Sequence, residues 1–173
     1  MLPLFIMTIG PLKRHCAAVA ASLLVALTCV GAYAEPSVGT MIHNVDVDLI
    51  DGKLIQGRQL QGKVVVYLFW ATWCPICSGE LPAYEQLRTR YRGKGLEVLA
   101  ISLDQDPETV SVFRQEHDYE LPMAMRTGTL RQTFGPIRGT PTVFLVDRGG
   151  ILRLKHLGGI DMGELEKQIK KIL

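Results

Sequence analysis

The chain has 173 residues, 47% hydrophobic and 21% charged, with a formal net charge of +2. Lys13 and Arg14 fall in a leader-like N-terminus, and without them the 19 basic side chains drop to 17 against 17 acidic ones. That balance argues against a surface for nucleic acid or anionic membrane.

Taken in chain order, Lys13, Arg14 and His15 precede the apolar run Cys16 to Ala32, and Ala32-Tyr33-Ala34 offers a small-x-small cleavage site, the layout of an export signal. The apolar stretch Met1 to Leu12 ahead of the basic residues is unusual for such a signal, and a true start at Met7 would account for it. Left uncleaved, the segment 16–33 is near the lower length limit for a spanning helix and would act as a membrane anchor. Residues 1–34 are therefore read as signal or anchor. Residues 35–173, about 140 positions, form one domain large enough to bury a core without disulfide scaffolding. Cys29 follows Leu27-Thr28, a poor match to lipid-modified cysteines, and is read as an ordinary leader residue.

Within the domain, "IHNVDVDLI" and "KLIQ" predict two short strands turned at Asp51-Gly52. "VVVYLFW", Val64 to Trp70, is a continuous apolar β-rich run, the pattern of a strand buried on both faces. From Pro75 the period becomes helical, with Leu81, Tyr84, Leu87 and Tyr91 on one face and Gly93 to Gly95 as the stop. "LEVLAISL" predicts a second buried strand, and the Asp104 to Pro107 loop opens a helix running to about His117. An extended "LPMAM" piece, a short helix around Thr129 to Phe134, strands "TVFLVD" and "ILRLKH", and a helix from Asp161 to Leu173 complete the order. Asp161 and Glu164 carry the spacing of a capping box. This order predicts an α/β fold with a central mixed sheet and helices on both faces.

With Cys16 and Cys29 gone in the leader, Cys74 and Cys77 are the only thiols of the domain, and in an exported compartment they pair with each other or with a client. Two cysteines two residues apart at a helix start are within disulfide range, and the helix N-terminus favours a thiolate on the first. Cys74 is thus the candidate nucleophile, Pro75 suits the first helical turn, and Cys77 is the more buried candidate for resolving a mixed disulfide. A zinc site needs four ligands, and neither a second cysteine pair nor a His-x-x-x-His occurs. A purely structural disulfide across so short a loop carries little entropic value, which leaves redox work as the favoured reading.

"FWATWCPICSGELP" resembles the active site of thioredoxin-fold proteins, and most closely the exported TlpA/ResA/DsbE (CcmG) group of thiol:disulfide oxidoreductases. The resemblance extends to "DGKLIQGRQLQGKVVVYLFW" upstream and "GPIRGTPTVFLVDRGG" downstream, covering most of residues 42–160. It implies a thioredoxin-like fold with an N-terminal β-hairpin extension. It also implies a protein disulfide reductase that works in cell redox homeostasis or cytochrome c biogenesis in the periplasm or another extracytoplasmic space, anchored to the inner membrane where the leader is kept.

The resemblance further implies a role for each matching residue. Pro141 matches the family's cis-proline beside the cysteines, presenting the Thr140 backbone to a client's extended chain; Trp73 matches the aromatic next to the reactive sulfur. With Pro75 and Ile76 these make the client-binding set, while Glu80, three residues after Cys77, is the group implicated in proton handling. From spacing alone Glu80 reads equally well as a solvated acid of the first helical turn, and Trp73 as a core residue. Leu68 stands where classical thioredoxins have a buried Asp, and Pro75-Ile76 replaces their Gly-Pro, so redox strength does not transfer. No cofactor is implied beyond a redox-active Cys74–Cys77 disulfide. The implied partners are client proteins with disulfides, apocytochrome c among them, and a membrane-linked donor of the DsbD/CcdA type; nucleic acid is not among them. A disulfide-donating oxidase shares every motif but has a long helical insertion in its DsbA form. A copper-handling module of the Sco type has wider cysteine spacing and a late histidine ligand, whereas His43, His117 and His156 show no ligand spacing and read as surface residues.

Overall fold

The computed structural model describes residues 34–173; the expectations for the leader, its cleavage, its cysteines and the start residue lie outside the described residues. Among the described residues, no helix is long and apolar enough to cross a membrane.

The elements are strands β1 (Val47–Asp48), β2 (Leu54–Ile55) and β3 (Val64–Trp70), helix α1 (Pro75–Tyr91), β4 (Leu96–Ser102), α2 (Pro107–Glu116), β5 (Met123–Met125), α3 (Gly128–Phe134), β6 (Thr142–Val146), β7 (Leu152–Leu157) and α4 (Met162–Ile172). β1 and β2 form the expected hairpin, with Gly52 at φ +80 in the turn. Its first strand is shorter than the "IHNVDVDLI" pattern predicts. At the start of that pattern the Ile42 N–H donates elsewhere, to the Gly150 carbonyl at 2.7 Å; at its end the Leu49 N–H still donates to the Lys53 carbonyl at 2.8 Å while Leu49 bridges to Ala124, and the Ile50 N–H donates to the Met123 carbonyl of the edge strand β5 at 2.9 Å.

The five-stranded sheet has the order β5-β4-β3-β6-β7. β3, β4 and β5 run parallel, whereas β6 is antiparallel to β3 and β7 to β6. β3 is the central strand and all seven of its residues are buried. Alternation along it serves two cores. Val64, Val66, Leu68 and Trp70 face Leu81, Tyr84 and Leu87 of α1 and Leu165 and Ile169 of α4. Val65, Tyr67 and Phe69 face Leu130 and Phe134 of α3 with Phe144 of β6. Each such buried side chain contributes roughly 1.5–3 kcal/mol of transfer free energy, which is why an uninterrupted apolar run, rather than an alternating one, encodes this strand.

α1 ends in a 3-10 turn, Arg92–Lys94, before Gly95. At α4 the Asp161 carboxylate accepts the Glu164 N–H at 2.8 Å as a cap should. The reciprocal half of the capping box is absent: the Glu164 carboxylate instead accepts from Gln168 at 2.7 Å, a partner one turn on along the same exposed face.

Candidate active site

The parallel strands all point their C-terminal ends at one edge of the sheet, and the loop leaving β3 there carries the cysteines. Asp104, at the end of β4, fastens that loop: its carboxylate accepts the Thr72 N–H at 3.0 Å, the Thr72 hydroxyl at 2.8 Å and the Ser102 hydroxyl at 2.6 Å. The Leu103 N–H donates to the Trp70 carbonyl at 2.8 Å and the Cys74 N–H to the Ala71 carbonyl at 3.2 Å. The chain therefore enters α1 from a fixed direction. Sequence reasoning took Asp104 only as the start of a loop; an acid directly after a buried strand was the available signal.

Cys74 is the N-cap of α1, Pro75 occupies its first turn, and the Cys77 N–H donates to Cys74 Sγ at 3.2 Å. The two cysteines form a disulfide with Cα atoms 5.3 Å apart. Cys77 is fully buried and Cys74 4% exposed, so the second cysteine is the more enclosed, as its place one turn into the helix requires. A helix N-terminus directed at Cys74 Sγ stabilises negative charge there when the disulfide is open.

Around the pair the surface is apolar. Trp73 is 68% exposed and Ile76 52%, which rules out a core role for the tryptophan. The Thr140–Pro141 peptide is cis, Thr140 is half-buried and Pro141 buried. Register places Thr142 opposite Phe69, so Pro141, one residue earlier, lies beside the end of β3 from which the cysteine loop departs. Leu157, 56% exposed at the end of β7, borders this segment: a Cβ built on Gly139 would meet Leu157 Cδ1 at 3.3 Å. Trp73 and Ile76 form an apolar collar at the head of α1, and Leu157 is a further exposed apolar residue, beside Gly139, that the sequence did not single out; an apolar residue just before the Gly158-Gly159 pair was its only mark.

Glu80 lies one turn after Cys77 and is half-buried. Its Oε1 accepts the Ile160 N–H at 2.8 Å, while its Oε2 and the Tyr84 hydroxyl, one turn further along α1, are buried without a partner. Burial pushes the carboxyl above its ordinary range, opposed by the Ile160 N–H and by the charge of His156. Of the two readings that spacing left open for Glu80, the solvated acid of the first turn does not hold: the side chain is drawn inward toward the loop before α4. His43 and His117 are exposed as expected, but His156 is half-buried and its Nε2 lies 2.9 Å from the Gly159 carbonyl oxygen. Leu68, in the place of a buried acid, is fully buried in β3. Among the described residues, no group of three or more His, Cys, Asp or Glu side chains is arranged to hold a metal ion.

A model of the AhpC/TSA family matches residues 38–155. The chain is 33% identical over 138 residues to thiol-disulfide oxidoreductase ResA of a Bacillus cereus strain, the match covering 78% of each chain. It is similar in structure to a thioredoxin-family thiol:disulfide interchange protein of Chlorobium tepidum TLS, with TM-score 0.72 and 25% identity over 79% of this chain and 98% of that one. A second Chlorobium tepidum protein, provisionally named thiol:disulfide interchange protein DsbE, matches with TM-score 0.70 and 29% identity over 79% of this chain and 97% of that one.

Proposed function

The chain belongs to the AhpC/TSA family and is a thiol:disulfide oxidoreductase of the ResA/DsbE type with a thioredoxin-like fold; from that premise we propose that it is an exported reductant of client disulfides. The observation that supports Cys74 as the nucleophile is the Cys77 N–H directed at its Sγ at the head of α1, at 3.2 Å; the direction of electron flow rests on the resemblance to the TlpA/ResA/DsbE group.

In the reduced protein that N–H and the helix dipole hold Cys74 as the thiolate. Cys74 Sγ attacks one sulfur of a client disulfide, forming a Cys74–client bond and releasing the other client sulfur as a thiolate. Cys77 then loses its proton and attacks Cys74 Sγ, breaking the mixed disulfide. The client leaves with two thiols and the protein with a Cys74–Cys77 disulfide. Glu80 is the proton acceptor for Cys77, supported by its place one turn along α1 and by its partnerless Oε2. Trp73, Pro75, Ile76, Thr140 and Pro141 receive the client, an extended segment laid along the apolar collar with backbone pairing at Thr140. The disulfide itself is the redox group and no further cofactor takes part. Two electrons per cycle return from a membrane-linked dithiol donor of the DsbD/CcdA type, and apocytochrome c is the client class, both on the resemblance of the motifs to the TlpA/ResA/DsbE (CcmG) group. The leader 1–34 directs the domain to the extracytoplasmic side of the membrane, as cleaved signal or as anchor.

The test is capture. A Cys77→Ser variant, reduced and mixed with a disulfide-bonded haem-attachment peptide, should accumulate a covalent adduct through Cys74, and Cys74→Ser should form none. Absence of any adduct with Cys77→Ser would remove Cys74 as the nucleophile.

A further inference from the structure

His156 was unremarkable as sequence, and nothing in the reaction above uses it. Its surroundings are specific. The imidazole Nε2 is 2.9 Å from the Gly159 oxygen, and with a carbonyl able only to accept, Nε2 carries the hydrogen and donates. The Ile160 N–H donates to Glu80 Oε1 at 2.8 Å. Gly159 C=O and Ile160 N–H are the two ends of one peptide unit, so a single planar amide joins the imidazole to the carboxylate. A peptide group that accepts at its oxygen is a better donor at its nitrogen, because the two hydrogen bonds polarise it in the same sense.

The bridge is built to be close. A Cβ on Gly159 would stand 3.1 Å from Glu80 Oε1 and 3.2 Å from Ile76 Cγ2, so a side chain there would crowd both the carboxylate and the collar. Upstream, the Gly158 N–H donates to the Pro141 carbonyl at 2.8 Å, which ties the same loop to the cis-proline segment.

We propose that His156 is a positioning residue for the redox centre: through the Gly159–Ile160 peptide it fixes Glu80 Oε1, and its imidazolium, at the far end of the same amide, is the charge that the carboxylate meets as it takes the Cys77 proton. The proposal rests on the reading of Glu80 as the proton acceptor. His156 is the charged side chain that acts on the Glu80 carboxyl. On α1, Glu80 is flanked by Cys77 and by Tyr84, whose phenol burial keeps protonated. Across the β6–β7 ladder His156 meets Val143. Lys155 is committed to Glu35 at 2.7 Å and Asp161 to the Glu164 N–H at 2.8 Å. During resolution the Cys77 proton passes to Glu80, the new S–S bond forms to Cys74 Sγ, and the client sulfur departs with the electron pair of the bond that breaks. Loss of the imidazolium raises the proton affinity of Glu80.

The test uses the oxidised full-length protein, in which the thiols are silent. The Glu80 carboxyl carbon and the Ile160 amide are followed by NMR from about pH 3 to about pH 9 in wild type and in His156→Gln, which keeps an amide donor for the Gly159 oxygen but carries no charge. The wild-type Ile160 amide should report two titrations, one from each end of the bridge. His156→Gln should remove one of them and raise the Glu80 midpoint by at least about 0.5 pH unit, an effect that shrinks in high salt. A single titration at Ile160 in wild type, which needs no variant to observe, would overturn the proposal, as would an unmoved Glu80 midpoint in His156→Gln. Mixed-disulfide resolution by Glu80→Gln separates the two layers. Wild-type resolution rates there would remove Glu80 as proton acceptor while leaving the bridge to the NMR result. A slow Glu80→Gln with a one-step Ile160 titration would keep Glu80 and discard His156.

Discussion

The two ends of α1 are built on opposite principles. At its C-terminal end the charged groups are matched: Arg88 Nε meets Glu97 Oε1 at 2.6 Å, Arg90 and Lys170 each meet Glu166 at 3.0 Å, and the Tyr91 hydroxyl donates to the same Glu166 carboxylate. Those contacts hold the Glu166 carboxyl at about 2, well below its ordinary range, with the Tyr91 hydroxyl as the largest cause. Toward the N-terminal end, Glu80 Oε2 is buried without a partner, burial raises the Glu80 carboxyl, and Trp73 and Ile76 stand in solvent; the Tyr84 hydroxyl at mid-helix is likewise buried and unpartnered. One helix thus carries its electrostatic anchorage at one end and an unmet carboxylate oxygen one turn from Cys77 at the other. The difference teaches where stability was placed and where it was given up, since groups with perturbed proton affinity concentrate where chemistry is done.

Substitutions that break this contrast should separate activity from stability. The largest effect is expected from Cys74→Ser, which removes the nucleophile: disulfide reduction should fall by about 10³-fold or more, measured as the rate of peptide disulfide reduction. Glu80→Gln should slow resolution of the mixed disulfide by about 10²-fold, the usual scale for removing a positioned acid or base, seen as a lingering adduct in quenched-flow trapping. At the other end, Glu97→Gln leaves Arg88 without its anionic partner and should cost about 2 kcal/mol in denaturant unfolding while leaving the reduction rate unchanged. Trp73→Ala should raise KM for a client peptide about tenfold with kcat little altered, since an exposed collar residue contributes to binding rather than to bond exchange.

The smallest effect sharpens the comparison most. The folded Glu80 carboxyl binds its proton more readily than in the unfolded chain, so its contribution to stability is fully present below the ordinary carboxylate range and is lost as pH rises through the folded value. Glu80→Gln escapes that loss. It should melt slightly above wild type near pH 7, with the gap closing toward about pH 4. Glu166 has the opposite sign: its stabilising contribution is present above the ordinary range and is lost only as pH falls toward about 2. Thermal melts of Glu80→Gln and Glu166→Gln across that window should therefore diverge from wild type in opposite directions.

Much of this was legible because the relevant signals are local. The uninterrupted run Val64 to Trp70 marked the central strand, the Leu81, Tyr84, Leu87 and Tyr91 spacing marked the buried face of α1, and all four are buried. Cys74 and Cys77 could be placed at a helix start from Pro75 and the change of period alone. What escaped the sequence depends on contacts across distance. The first strand of the hairpin is short because Ile42 bonds Gly150 at one end of the pattern and Ile50 bonds β5 at the other, and Asp104 became a clamp only because β4 ends beside Thr72. His156 and Glu80 stand far apart in the chain and meet through a peptide unit contributed by neither. No spacing rule reports such a pairing, because the amide that joins them has no side-chain signature.

The measurement that tests the central claim most directly is the reduction potential of the Cys74–Cys77 pair, from equilibrium of the protein with a graded dithiothreitol or glutathione series and thiol trapping at each point. A reductant of client disulfides that depends on a dedicated donor should show a potential at or below that of thioredoxin, about −270 mV. A value near −120 mV would contradict it, making the same cysteines those of a disulfide-donating oxidase.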